Sequence, residues 1–314
     1  MTLMKLAKLC LAIITVAICL PAQPSSAGNF AYLSATGGGT ACTAAAPCAT
    51  FIDAFALLLP SSGRIICLDP VADSQGFSLS ASNLVFDIDC PAGSWAGIAS
   101  VPVLNFIGPN LTLTFRNMAF NGVGGSTSAI KVYNNGSGTL IFENCVFANF
   151  SGPALDIEPK AAFNLVITNS RISSNESGVI FKPSAGGSIN ATFDHVRITQ
   201  NTGGGIKSDT TNGAVSADFT DSVVSDNGGN GINAVGGAGG QNMVSIKNSV
   251  IAKNGVAGVQ ANGANAGVLI ATTLLDQNAT GATSVVGAGS LLTYGNNDIV
   301  GSIGSGFTGT APLH

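Results

Sequence analysis

The chain has 314 residues, 46% of them hydrophobic and only 9% charged, and 41 are glycine. A chain this apolar is not a solvated disordered segment, glycine without a three-residue period is not collagen, and so few charges without sustained heptads exclude a coiled coil. Twelve Lys and Arg against 16 Asp and Glu give a net charge of −4, which leaves no basic footprint for nucleic acid.

Residues 1–27 read as a secretory leader. Lys5 and Lys8 precede an apolar run from Leu9 to Leu20, Pro21 ends it, and Ser25-Ser26-Ala27 offers small residues for cleavage before Gly28. The run is shorter than a bilayer span, and no later stretch is long enough. A lipoprotein anchor at Cys19 is disfavoured by Ile18, where such signals want a small residue. The protein is therefore expected to be secreted or periplasmic, with no membrane span. Export leaves Cys42, Cys48, Cys67, Cys90 and Cys145 where pairing is allowed. Cys42 and Cys48 are close enough for a loop staple. Pairing among the other three stays open, with Cys67–Cys90 as one option and Cys145 suited to a buried thiol.

Residues 28–314 are expected to form one domain, with a cap and early rungs over 28–110. Phe30–Leu33 reads as a strand. Over 50–59, apolar residues at 51, 52, 55, 58 and 59 mark one face of a helix. Arg64–Leu68, Leu84–Ile88 and Val101–Ile107 read as further strands.

Residues 111–294 carry a repeat of about 26 residues. A shared polar position falls at Asn117, Asn144, Asn169, His195, Asp221, Asn248 and Thr272, and a second marker at Asn175, Asn201, Asn227, Asn254 and Asn278. A third marker is a small residue before an apolar one, as in Gly178-Val179, Gly205-Ile206, Gly231-Ile232 and Gly258-Val259. Apolar residues alternate over a few positions and then break at Gly, Asn or Ser, which is strand periodicity. Short strands and bends in each period make one rung of a parallel β-helix, so that side chains one period apart become vertical neighbours. Asn at the shared position suits stacked amide bonding and a left-handed bend, and His195 and Asp221 are read as members of that ladder. Hexapeptide and leucine-rich repeats are absent. From Gly295 the pattern weakens, and 295–314 is expected to be a frayed last rung or tail.

The Asn-Ser-x-Ile-x-x-Asn turns, the Gly-Ile and Gly-Val strand starts, and Ala46-Pro47-Cys48-Ala49-Thr50-Phe51 before the helix resemble the pectate-lyase-like right-handed parallel β-helix superfamily, over roughly residues 30–300. The resemblance implies an all-β, right-handed parallel β-helix with an N-terminal α-helical cap. It also implies a site on one exposed sheet, but this fold serves lyases, hydrolases, epimerases, adhesins and inert scaffolds alike.

Alternation assigns the outward positions after the third marker. One column is Lys131, Asp156, Ile180, Lys207, Asn233 and Gln260, and the next is Tyr133, Glu158, Lys182, Asp209, Val235 and Asn262. Lys131, Tyr133, Asp156, Glu158, Lys182, Lys207 and Asp209 are thus candidate saccharide contacts, the lysines matching the carboxylates of uronic acids. The expected function is binding of extracellular or cell-envelope polysaccharide by a monomer without a cofactor. A lyase or hydrolase is the alternative. Ala154-Leu155-Asp156-Ile157 resembles the strand that carries a calcium ligand in pectate lyases, so Asp156 and Glu158 would hold Ca²⁺ in that case, with Lys182 or Lys207 as base. Neither column has an arginine or a paired-Asp signature, and activity is left open; a non-catalytic surface protein is the third reading. Phe193-Asp194-His195 is similar to the Asp–His pair of pectate lyases, but its ladder place reads as structural. Arg171 and Arg197 share a column and read as solvated. Two Met and two His beyond the leader are too few soft ligands for copper handling.

Overall fold

A computed structural model describes residues 29–96, 102–122, 125–133 and 135–312; the expected leader, residues 1–27, lies outside them. Every pairing between named strands is parallel, and partners lie about one repeat apart in sequence, as in Ala162–Thr168 on Ser188–Asp194 and Ser188–Asp194 on Ala214–Thr220. The chain is a parallel β-solenoid with three strands per rung.

Sheet one has nine strands, from Phe77–Leu79 through Ile130–Val132, Pro153–Ile157, Ser177–Phe181 and Ile206–Asp209 to Gly281–Val286. Sheets two and three are two walls of a single hydrogen-bonded sheet, because early strands such as Leu111–Asn121 run from one wall into the other. Sheet two continues through Gly138–Glu143, Ala162–Thr168 and Ser188–Asp194, and sheet three through Val146–Ala148, Arg171–Ser173 and Arg197–Thr199.

The interior is filled by inward columns. Phe115 stacks on Phe142 at 5.5 Å, Phe120 on Phe147 at 5.0 Å and Phe193 on Phe219 at 4.4 Å between centroids. Vertical stacking of like rings follows from the in-register rungs, and each buried ring removes a large apolar area from water.

The two asparagine markers do different jobs. The shared polar position, Asn117 to Thr272, is an outer corner between sheets two and three, and all seven residues have φ between 48° and 59°. This is the left-handed region that Asn tolerates. The second marker forms a continuous buried ladder. Asn175, Asn201, Asn227, Asn254 and Asn278 are buried, and each Nδ2 donates to the next Oδ1 at 2.9–3.0 Å. The same Oδ1 accepts the backbone N–H of the residue below, as Asn201 N does to Asn227 Oδ1 at 3.1 Å. Side-chain bonding also occurs at the outer position, as from Asn144 Nδ2 to Asn117 Oδ1, and the continuous buried ladder that the sequence reading did not separate from it lies inside, one corner further on. The third marker is small because of that ladder. A Cβ on Gly231 would meet Asn254 Nδ2 at 2.7 Å, and one on Gly258 would meet Asn278 Nδ2 at 2.7 Å.

At the N-terminus, helix α1 (Phe51–Leu58) is capped by Thr50 and buries Phe51, Ala54, Phe55 and Leu58. Ile52 and Leu59, expected on the apolar face, are exposed instead. Cys42–Cys48 and Cys67–Cys90 are disulfides, and Cys145 is free and buried; burial pushes its thiol up to about 12. The C-terminal stretch, expected as a frayed last rung or tail, contains paired strands. Asp298–Val300 pairs with Leu274–Asp276, and Gly309–Thr310 pairs with Leu292–Thr293, so the solenoid continues past Gly295 with backbone pairing that the weak side-chain pattern hid.

Candidate functional site

Sheet one carries both predicted columns in register. Asp156 pairs with Lys131 and Ile180, Ile180 with Lys207, Lys207 with Asn233, and Asn233 with Gln260. Asp209 pairs with Val235 and Val235 with Asn262. Tyr133, Glu158 and Lys182 follow directly after their strands and keep the rung bonding, through Glu158 N to Val132 O and Lys182 N to Ile157 O. All seven candidate residues therefore lie on one face, with outward side chains because their neighbours Val132, Ile157, Phe181 and Ser208 point in.

The electrostatics of the face differ from the sequence expectation. The Lys131 ammonium is hydrogen-bonded to Asp156 and lies 2.9 Å from Glu158, with the Tyr133 ring 5.7 Å away. Burial opposes the Lys131 charge, but the bonds from Asp156 and Glu158 outweigh it and hold its pKa above the ordinary lysine value. Burial also raises Asp156, against the pull of Lys131. Lys131 is thus committed to two carboxylates and is not a free cation for a uronate. The same ammonium stands between the two carboxylates that would hold Ca²⁺ in the lyase reading. Lys207 is 3.9 Å from Asp209. Burial of Asp209 is outweighed by hydrogen bonds from Thr211 and by Lys207 and Lys182, so its pKa lies below the ordinary value. Lys182 is exposed and makes no ion pair among the described residues.

Next to Tyr133 the face opens into two adjoining hollows that share Ile107 and Asn135. One, of about 460 Å³, is lined by Asn105, Ile107, Tyr133, Asn135 and Glu158. The other, of about 660 Å³, adds Ser80, Ser137 and Lys160. Asn105 Oδ1 is buried without a hydrogen-bond partner. The sequence reading missed Asn105, Ile107, Asn135, Ser137 and Lys160. The signal for Asn105 and Ile107 was present, since they are the Lys131 and Tyr133 positions one rung earlier; the others sit in connections, where alternation assigns no face. Connections beside the central rungs of the face are short, such as 149–152, 158–161 and 174–176.

The four arginines lie elsewhere. Arg64 and Arg116 on sheet two pair with Asp87, Asp89 and Glu143, and Arg171 and Arg197 are vertical neighbours on sheet three.

A family model described as right handed beta helix region matches residues 106–275. Among solved structures, the chain is similar to the crystal structure of pectate lyase Pel9A, with a TM-score of 0.56 and 15% identity over 90% of this chain and 78% of that one. No curated protein matches the chain.

Proposed function

This chain belongs to the right-handed β-helix family, and on that premise we propose that it is an exported protein that binds polysaccharide along sheet one. The observation that carries the reading is the cleft beside Tyr133. An aromatic ring 41% exposed, the side-chain amides of Asn105 and Asn135 and the Glu158 carboxylate line one hollow. A pyranose offers an apolar ring face and a rim of hydroxyls, which matches an aromatic platform with polar groups around it. Beyond the cleft, Lys182 and Lys207 follow at two and three rungs from Lys131, at a spacing of about 4.8 Å per rung. A chain lying along the axis would meet them in sequence. Two disulfides agree with an oxidising, extracytoplasmic setting.

Binding without cleavage is favoured over a lyase by particular residues. No arginine is on the face, Lys131 is held by two acids, and both of those acids are engaged by it. The test is a glycan array with the purified protein, followed by affinity measurements on variants. Tyr133→Ala should weaken binding about tenfold, roughly 1.4 kcal/mol. Lys182→Glu with Lys207→Glu should reduce retention on acidic glycans. An array without a bound glycan, or a Tyr133→Ala variant of unchanged affinity, overturns the reading. Release of unsaturated products from polygalacturonate or alginate would replace it with the lyase.

A further inference from the structure

On the corner between sheets two and three, away from sheet one, the repeated outer residue departs from Asn in an informative place. Where Asn follows Asn, amide bonds to amide, as Asn144 Nδ2 does to Asn117 Oδ1 at 2.7 Å. On two adjacent rungs the position holds His195 and then Asp221, both at positive φ. A third ionisable group, Asp194, directly precedes His195. The three residues each offer one ligand atom, and these atoms lie within 4.8 Å of one another.

His195 occupies its ladder place at the solvent-facing corner. Its side chain is 60% exposed, and its polar contact is Asp194 Oδ1, 2.8 Å from Nδ1. One oxygen of Asp221 accepts from Asn248 Nδ2. Elsewhere on the solenoid several acids sit beside a cation. Asp87, Asp89 and Glu143 are matched by arginine, and Asp156, Glu158 and Asp209 by lysine. Asp194 and Asp221 have no Lys or Arg partner among the described residues. Two carboxylates on neighbouring rungs thus lie near one imidazole without such a partner.

We propose that Asp194, His195 and Asp221 form a surface site for a divalent transition metal of the zinc class. An imidazole with two carboxylates is a borderline donor set, suited to Zn²⁺ or Ni²⁺, whereas Ca²⁺ and Mg²⁺ take oxygen alone. The cation takes Nδ1 of the neutral imidazole, whose proton then sits on Nε2, in place of the contact to Asp194 Oδ1. Rung stacking fixes the three backbones, and only exposed side-chain rotamers need to adjust. The site is independent of the saccharide reading, since it lies on another corner of the solenoid.

Isothermal titration of the full chain with zinc chloride at pH 7.5 tests it. One ion should bind per chain, more tightly than Ca²⁺. His195→Asn installs the repeat's own residue, so circular dichroism and melting should match the unmodified protein while zinc affinity falls at least tenfold. Asp221→Asn should also weaken binding, and His314→Ala, which removes the other histidine, should not. Absence of zinc binding up to millimolar concentration, unchanged affinity in His195→Asn, or equal affinity for Ca²⁺ overturns the proposal.

Discussion

A single residue type, asparagine, serves two physical purposes in each rung, and the two tolerate substitution differently. Asn227 lies inside, where its Oδ1 accepts both the backbone N–H and the Nδ2 of Asn201. Truncation to Ala would orphan two buried donors, at about 1–3 kcal/mol each. Asn227→Ala should therefore cost about 2–6 kcal/mol in chemical denaturation. Asn248 lies outside at φ 52°, where backbone conformation matters more than the amide. Asn248→Gly should be within about 0.5 kcal/mol of the unmodified protein. Equal losses at the two positions would contradict this division of roles. From sequence, the two markers looked alike, since both are asparagine at the same period. Which of them pointed inward depended on the corner geometry between sheets.

At the scale of the element, helix α1 is held on the first rungs by more than its apolar face. Asp73, buried, accepts from Phe51 N at 2.7 Å and from Gln75 N at 2.9 Å. Burial raises the Asp73 carboxyl above its ordinary value, against those two bonds. The folded state then holds this proton more tightly than the unfolded chain does. Its contribution is fully present below the ordinary value and declines as pH rises through the raised one. Asp73→Asn should remove that part of the pH dependence, so the stability gap between variant and parent should change from below pH 4 to neutrality, as read by denaturation across that range. A constant gap would show that Asp73 does not titrate there. The helix itself was legible in the sequence because its apolar period is local. Its anchor was not, because Asp73 is 22 positions from Phe51.

For the whole molecule, stability is a sum over stacked rungs and their interfaces. The N-terminal end is clamped by Cys67–Cys90, which joins strand Gly63–Cys67 to strand Val85–Ala96 across 23 positions. A loop of this size is worth about 3 kcal/mol in the chain-entropy account. The C-terminal end has short strands and exposes Val300 and Ile303. Hydrogen exchange should therefore be fastest over 298–312 and slowest in the central rungs. In Cys67→Ala with Cys90→Ala, fraying should spread to the N-terminal rungs. Faster exchange in the centre than at the C-terminal end would argue against end-first opening.

The period, the strand alternation and the outward columns were determined by the order of residues alone, because in-register stacking turns a distance in sequence into a vertical contact. The sequence period alone thus places Tyr133, Asp156, Glu158, Lys182 and Lys207 on one wall. Only the folded molecule decided that Lys131 is neutralised by Asp156 and Glu158, that a cleft opens at Asn105 and Asn135, and that Asp194, His195 and Asp221 converge without a balancing cation. Those outcomes depend on side-chain direction and bend shape, which are set by neighbours on adjacent rungs and not by the periodic pattern.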